Sequence, residues 1–173
     1  PSDTLPGIRA TGAAVGDQTS HFSVLDAEGN AVAATQSINF PYGSGFMPPG
    51  TGVFLNNEMD DFSMKPGVAN GYQLLGAEAN AIAPGKRMLS SMTPTMLIDE
   101  NSLSVLGTPG GSRIITMVLL ASLEWVDGAD AEAMVSLPRI HHQYFPDQID
   151  YESDALTAEE IAGLEALGHS LAG

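Results

Sequence analysis

The chain of 173 residues contains no cysteine. That absence excludes disulfides, a thiolate nucleophile and any metal site built on sulfur. Positive charge is scarce too: 6 Lys and Arg stand against 21 Asp and Glu, for a net charge of −15. Nucleic-acid binding depends on Lys and Arg at phosphates, so that class of partner is excluded. The acidity does not in itself call for a basic partner, because acidic surfaces mostly keep proteins soluble. No run of about 18 apolar residues occurs, so no membrane span is expected. No signal peptide and no internal repeat are visible. The chain starts at Pro1 without a Met, which points to a piece of a longer chain.

What is present suits a single domain. A hydrophobic fraction of 43% can build a core, and 19 Gly with 11 Pro call for many loops. Residues 1–18 (PSDTLPGIRATGAAVGDQ) have no periodicity and read as a linker. At Gln18-Thr19-Ser20-His21-Phe22-Ser23 the pattern changes to a strand that runs on to Asp26. A turn at 27–30, with Gly29 where positive φ is needed, leads to a returning strand at 31–38. This hairpin delivers Ser37 and Asn39 to its far end. Val53-Phe54-Leu55 reads as a short strand leading to the carboxylates Glu58, Asp60 and Asp61. Residues 63–88 have little period and read as a long loop, a kind usually functional or mobile, with Tyr72 as its only aromatic and a candidate gate. A second hairpin is expected over 95–99 and 103–107. Gly110-Gly111 then precedes the strongest helix signal, with Ile114, Ile115, Val118, Leu119 and Leu123 on one broad face and an end near Gly128. A short helix over 130–137 stops at Pro138, and 139–144 reads as extended. Thr157-Ala158-Glu159-Glu160 is a capping box. It opens a helix with Ile161, Leu164 and Leu167 inward and Gly168 as its stop.

Several of these stretches could carry chemistry. A free N-terminal Thr holds a hydroxyl nucleophile and a base, its own α-amine, in one residue. The amine's pKa of about 7.7–8.0 suits proton transfer near neutral pH. To expose it at Thr19, the Gln18–Thr19 bond must break. The route is attack of the Thr19 hydroxyl on the Gln18 carbonyl, followed by release of the ester by water. A Thr ahead of a strand is more commonly structural. Gly110-Gly111 at a helix start can approach an oxyanion closely, and the helix N-terminus favours the negative charge. A plain tight turn is the commoner reading, and with no Lys after the glycines a P-loop is excluded. Glu58, Asp60 and Asp61 could bind an ammonium group or a hard metal ion, or simply form a solvated turn. Ser90-Ser91 could donate to a carboxylate, although serine pairs are common in turns. His141-His142 suggests a metal site, but neighbours on a strand point to opposite faces and rarely chelate one ion.

Four stretches, TSHFSVLDAEGNAVAATQSIN, GVFLNNEMDDFSMKPG, GKRMLSSMTPT and GTPGGSRII, together resemble the small subunit of the γ-glutamyltranspeptidase family. The resemblance runs from about residue 17 to 170, in the right order and at compatible spacing. It implies an α+β fold, the αββα four-layer sandwich of the N-terminal-nucleophile hydrolases, with only part of it in this chain. Residues 1–18 would then be the end of the large-subunit segment, and 19–173 a small-subunit catalytic domain truncated at its C-terminus. The resemblance makes Gln18–Thr19 the autoprocessing site and Thr19 the nucleophile. It gives Ser37 the place of a supporting Thr, and Ser20 likewise stands where Thr is usual. Asn39, Glu58 and Asp61 would hold the α-amino end of a γ-glutamyl group, and Ser90 and Ser91 its α-carboxylate. Gly110 and Gly111 would form the oxyanion hole, under a lid over about 66–84 with Tyr72 as gate. The implied activity is γ-glutamyl transfer and hydrolysis on glutathione and related amides, with amino acids or peptides as acceptors. No cofactor and no metal are implied. The implied partner is a large subunit cut from the same precursor, bearing an Arg for the substrate carboxylate, and the implied location is periplasmic or secreted. Alternatives are a same-fold amidase, such as a cephalosporin acylase or a poly-γ-glutamate transpeptidase, and an inactive fragment or binding module.

Overall fold

A computed structural model describes residues 19–173. The expected linker at 1–18, with Gln18 at its end, lies outside the described residues. The first strand, β1 (Ser20–Leu25), pairs antiparallel with β2 (Ala31–Gln36), and Ser20 faces Gln36 across the ladder. Asp26 closes the turn between them. Its carboxylate accepts from the backbone N–H groups of Glu28 and Asn30, both at 2.9 Å, and from Asn30 Nδ2 at 2.7 Å. Those bonds, the Asn30 side chain's first, hold its carboxyl below the usual range. Gly29 has the positive φ, 87°, that the turn requires.

The second hairpin joins β3 (Thr95–Ile98) to β4 (Leu103–Leu106). Asp99 caps its turn by accepting from the N–H groups of Asn101 and Ser102. The hairpins are stitched together where Ser23 Oγ donates to Val105 O at 3.0 Å. A 3-10 turn at Gly111–Arg113 runs into helix α1 (Ile114–Val126), and the shorter α2 (Ala131–Ser136) packs against α1. Asp130 caps α2 by accepting from Ala133 N–H. A third sheet sets β5 (Ile140–His141) antiparallel to β6 (Ile149–Tyr151), with β7 (Leu171–Ala172) parallel to β6. The parallel crossover is helix α3 (Ala158–Ala166). The capping box is formed, with Thr157 Oγ1 accepting from Glu160 N–H and the Glu160 carboxylate accepting from Thr157 N–H.

The buried apolar core is small: Phe62, Ile114, Val118 and Met134. Only one side of α1 faces it, and Ile115, Leu119, Leu123 and Val126 on the other side are exposed. Four expectations are corrected. Residues 53–55 form no strand: Leu55 exchanges single bonds with Ser44 and Phe46 across a loop, and no partner strand lies alongside. Over 139–144 only Ile140–His141 is strand, because Tyr144 turns into positive φ at 73°. Leu167 points outward, 78% exposed. The strand β6 at Ile149–Tyr151 was not expected. The long loop is present, but it is folded on itself. Asn70 Oδ1 accepts from the N–H groups of Tyr72 and Leu74, and bridges join Ser63 to Ala81 and Ala69 to Leu75. Among the described residues no helix is long and apolar enough to cross a membrane.

Candidate active site

The residue that precedes β1 is Thr19, only 8% exposed. Its Oγ1 lies 2.9 Å from Ser37 Oγ, one residue past the end of β2, and either hydroxyl can be the donor. Antiparallel pairing explains the meeting: with Ser20 opposite Gln36, the flanking residues 19 and 37 are neighbours. Ser37 Oγ also accepts from Asn39 N–H at 2.9 Å, which fixes the hydroxyl beside Thr19. Asn39 is buried with a left-handed φ of 72°, a conformation that Asn tolerates better than most residues. Its Nδ2 donates to Asn57 O at 3.2 Å, and its Oδ1 has no partner among the described residues.

A short 3-10 turn over Glu58–Asp61 supplies the acidic side. Glu58 Oε1 is buried and without a partner among the described residues. The Asp61 carboxyl is pushed up to about 7, first by burial, then by its bond to Glu58 and by the charges of Glu58 and Asp60. Glu58 and Asp61 are half-buried carboxyls side by side, and among the described residues no Lys or Arg pairs with either. Asp60 behaves differently. Its Oδ2 accepts from Gly71 N–H at 3.0 Å and its carbonyl accepts from Asn70 Nδ2, so it anchors the long loop.

That loop places Tyr72 across the site. The Tyr72 hydroxyl donates to Asn39 O at 3.2 Å, and its ring meets Phe40 edge-on with centroids 5.1 Å apart. Burial, and then the Asp61, Glu58 and Asp60 charges, push the phenol up to about 12, so it remains a donor at neutral pH. On the far side the ring lies against Gly111, where a Cβ would collide with it. Gly111 has a φ of 58° and Gly110 a φ of 143°, two backbone states that L-residues with side chains avoid. Neither amide N–H has an acceptor among the described residues. Both stand at the entry to α1, where the helix dipole favours negative charge.

One cavity gathers these groups. Its lining includes Thr19, Ser37, Asn39, Glu58, Asp61, Tyr72, Ser90, Ser91 and Gly111. Neither Asp60 nor Gly110 lines it. Gly110 sits behind Gly111, packed towards Met117. Ser90 is exposed, and its Oγ accepts from Met92 N–H at 3.2 Å. Met92, Ser112 and Ile114 also line the cavity and were not singled out from sequence. They stand inside the motifs GKRMLSSMTPT and GTPGGSRII, but nothing in the sequence assigned them a place in the pocket, which they enter through the packing of α1 and of the 90–92 turn. The His pair splits as adjacent strand residues do: His141 is buried and bonded to Thr116 and Gln143, while the exposed His142 meets Asp147. Among the described residues, no group of three His, Asp or Glu is arranged to hold a metal ion.

The arrangement can do defined chemistry. It sets the part-buried Thr19–Ser37 hydroxyl pair beside the Glu58 and Asp61 carboxyls, two serines and the Gly111 backbone amide, with Gly110 just behind. Such a site suits a substrate bearing both an ammonium and a carboxylate near a carbonyl under attack.

Comparison with known proteins bears on the same residues. Residues 7–173 match the family model for gamma-glutamyltranspeptidase. A glutathione hydrolase proenzyme from Pseudomonas sp. (strain A14) is 47% identical over 160 residues, covering 91% of this chain and 28% of that protein. The glutathione hydrolase proenzyme of Escherichia coli (strain K12) is 46% identical over 158 residues, with 90% and 27% covered. The chain thus spans little more than a quarter of the length of these curated relatives. Among solved structures, a mutant gamma-glutamyltranspeptidase of Helicobacter pylori superposes with a TM-score of 0.83 at 45% identity, covering 88% of this chain and 83% of that one. The Bacillus anthracis transpeptidase enzyme CapD, at 22% identity and a TM-score of 0.66, shares the fold.

Proposed function

Since this chain belongs to the γ-glutamyltranspeptidase family, we propose that it is the nucleophile-bearing part of a γ-glutamyl acyltransferase and hydrolase made as a precursor. One observation carries the reading. Thr19 Oγ1 sits 2.9 Å from Ser37 Oγ in a cavity that Glu58, Asp61, Ser90, Ser91 and Gly111 also line.

In this reading the bond between Gln18 and Thr19 breaks first, and the freed α-amine of Thr19 becomes the general base. It takes the proton of Thr19 Oγ1 as that oxygen attacks the γ-carbonyl of glutathione or a related amide. The amides of Gly110 and Gly111 stabilise the oxyanion. The C–N bond then breaks, the departing amine takes the proton, and a γ-glutamyl ester remains on Thr19. Water or an acceptor amine cleaves that ester and restores the hydroxyl. Glu58, Asp61 and Asn39 Oδ1 receive the α-ammonium, and Ser90 and Ser91 donate to the α-carboxylate. Ser37 keeps the Thr19 hydroxyl aimed. The remaining wall of the pocket comes from a large subunit of the same precursor.

Replacing Thr19 with Ala in the full-length protein should abolish both cleavage before residue 19 and turnover of γ-glutamyl-p-nitroanilide. Residual turnover at the parent rate would refute the assignment. An amidase for acyl groups without an α-amine would leave Glu58 and Asp61 facing no cation. Faster turnover of a glutaryl amide than of the matching γ-glutamyl amide would therefore favour that second reading.

A further inference from the structure

Gln143 lies between β5 and β6 and lines no part of the candidate pocket. Its amide nevertheless joins three parts of the chain that the pocket depends on. Nε2 donates to Tyr72 O at 2.9 Å and to Phe145 O at 3.0 Å. Oε1 accepts from Ser112 Oγ at 2.6 Å and lies 2.9 Å from His141 Nε2. The orientation of the amide is forced. Two backbone carbonyls can only accept, so the NH₂ must face them and the oxygen must face Ser112 and His141. His141 Nε2 then carries its proton, and His141 Nδ1 lies 2.8 Å from Thr116 Oγ1 on α1. Every hydrogen-bonding position of the amide is used, and the chain of bonds ends on the helix that carries Ile114.

The long loop gives this its meaning. Among the described residues, most hydrogen bonds of 66–84 stay within the loop or reach its own flanks. Asn70, Gly71 and Asn80 tie it to the Glu58–Asp61 turn, and two further side-chain bonds, both on Tyr72, reach beyond that turn: the hydroxyl to Asn39 O, and the carbonyl from Gln143. The first ends in the pocket wall itself. The second ends on Ser112, which directly follows Gly110-Gly111. We propose that Gln143 is a positioning residue that locks the loop shut over the pocket and sets Tyr72 in register with the glycine turn. This rests on the γ-glutamyl reading of the site. Gln143 touches no substrate and acts through Tyr72 and Ser112.

The test uses the full-length protein with Gln143→Met, which keeps the volume and removes the bonds, and with Gln143→Glu. Both variants should still be cleaved before Thr19, as read by intact mass. For Gln143→Met the KM for γ-glutamyl-p-nitroanilide should rise about tenfold, the scale of one lost buried hydrogen-bond link. Its kcat should change less than about threefold, a smaller effect than that link is worth in binding. Limited proteolysis should cut within 66–84 faster than in the parent, with the other sites unchanged. Gln143→Glu supplies a readout that packing alone would not move. Its carboxyl can donate to Tyr72 O only when protonated, so the ratio of its KM to the parent's should narrow as pH falls. A parent-like KM with parent-like cleavage in the loop overturns the proposal, and so does a ratio that does not respond to pH. If the parent itself fails to turn over γ-glutamyl amides, the functional reading fails instead, and the proteolysis comparison still decides the lock.

Discussion

At the scale of the residue, the Asp61 carboxyl is pushed up to about 7 from an ordinary 3.8, by burial before all else. In the proposed reading the substrate's α-ammonium binds the ionised form. At pH 6 about one molecule in ten carries it, against about nine in ten at pH 8. The KM for a γ-glutamyl donor should therefore rise about tenfold from pH 8 to pH 6, measured by initial rates at fixed ionic strength. Stability runs the other way. A carboxyl whose folded pKa is raised favours the fold below its unfolded pKa of 3.8, and that support is lost as pH rises from there through about 7. Asp61→Asn should thus melt higher than the parent at pH 8 and approach it only as pH falls to about 4, while losing donor affinity. A lower melting point at pH 8 would contradict this account of the cluster. The three carboxylates looked alike in sequence. Spacing could not reveal that Asp60 ties down the loop while Glu58 and Asp61 face the cavity, because that division depends on Gly71 and Asn70, 11 and 10 residues away. Gln143 was silent for a stronger form of the same reason, while Ser112 stood inside GTPGGSRII without a role assigned to it. Gln143 bonds across 31 residues to one wall of the pocket and across 71 to the other.

At the scale of the element, what was legible is what is held locally. The capping box at Thr157, the turn at Asp26 and the start of α1 are all decided within a few residues, and each is where the sequence placed it. Thr157→Ala should cost about 1 kcal/mol by denaturant unfolding of the full-length protein, since two bonds at the start of α3 are lost. Leu167→Ala should cost almost nothing in the same assay, because that side chain is 78% exposed. The elements misread from sequence depend on distant neighbours. Val53-Phe54-Leu55 is apolar enough for a strand but has none alongside, whereas Ile149–Tyr151 becomes one because β5 and β7 flank it. A strand is defined by its partners, and a three-residue run says little about whether partners will be there.

At the scale of the whole molecule, the charge balance should be measurable. Among the described residues, only Asp150 and Glu152 meet an Arg, and only Asp147 a His, within 4.0 Å. The net −15 therefore acts mostly as self-repulsion, felt over about 30 Å at 0.01 M salt and about 3 Å at 1 M. The melting temperature should rise by a few degrees, roughly 1 kcal/mol of relief, as NaCl goes from about 0.01 to about 0.5 M. A flat or falling curve would show that the charges are already compensated. The α+β chain carries part of an N-terminal-nucleophile hydrolase fold, and its family, its hairpins and helices, and the identities of the candidate site residues were determined by sequence alone. They rest on residue types, local periodicity and short motifs, which a linear chain displays directly. Only the tertiary structure decided that Thr19 and Ser37 touch, that Gly110 stands behind Gly111, and that Tyr72 is fastened from two sides. Those facts depend on distances between segments far apart in sequence, and such distances are set by packing and pairing that no single stretch of the chain contains.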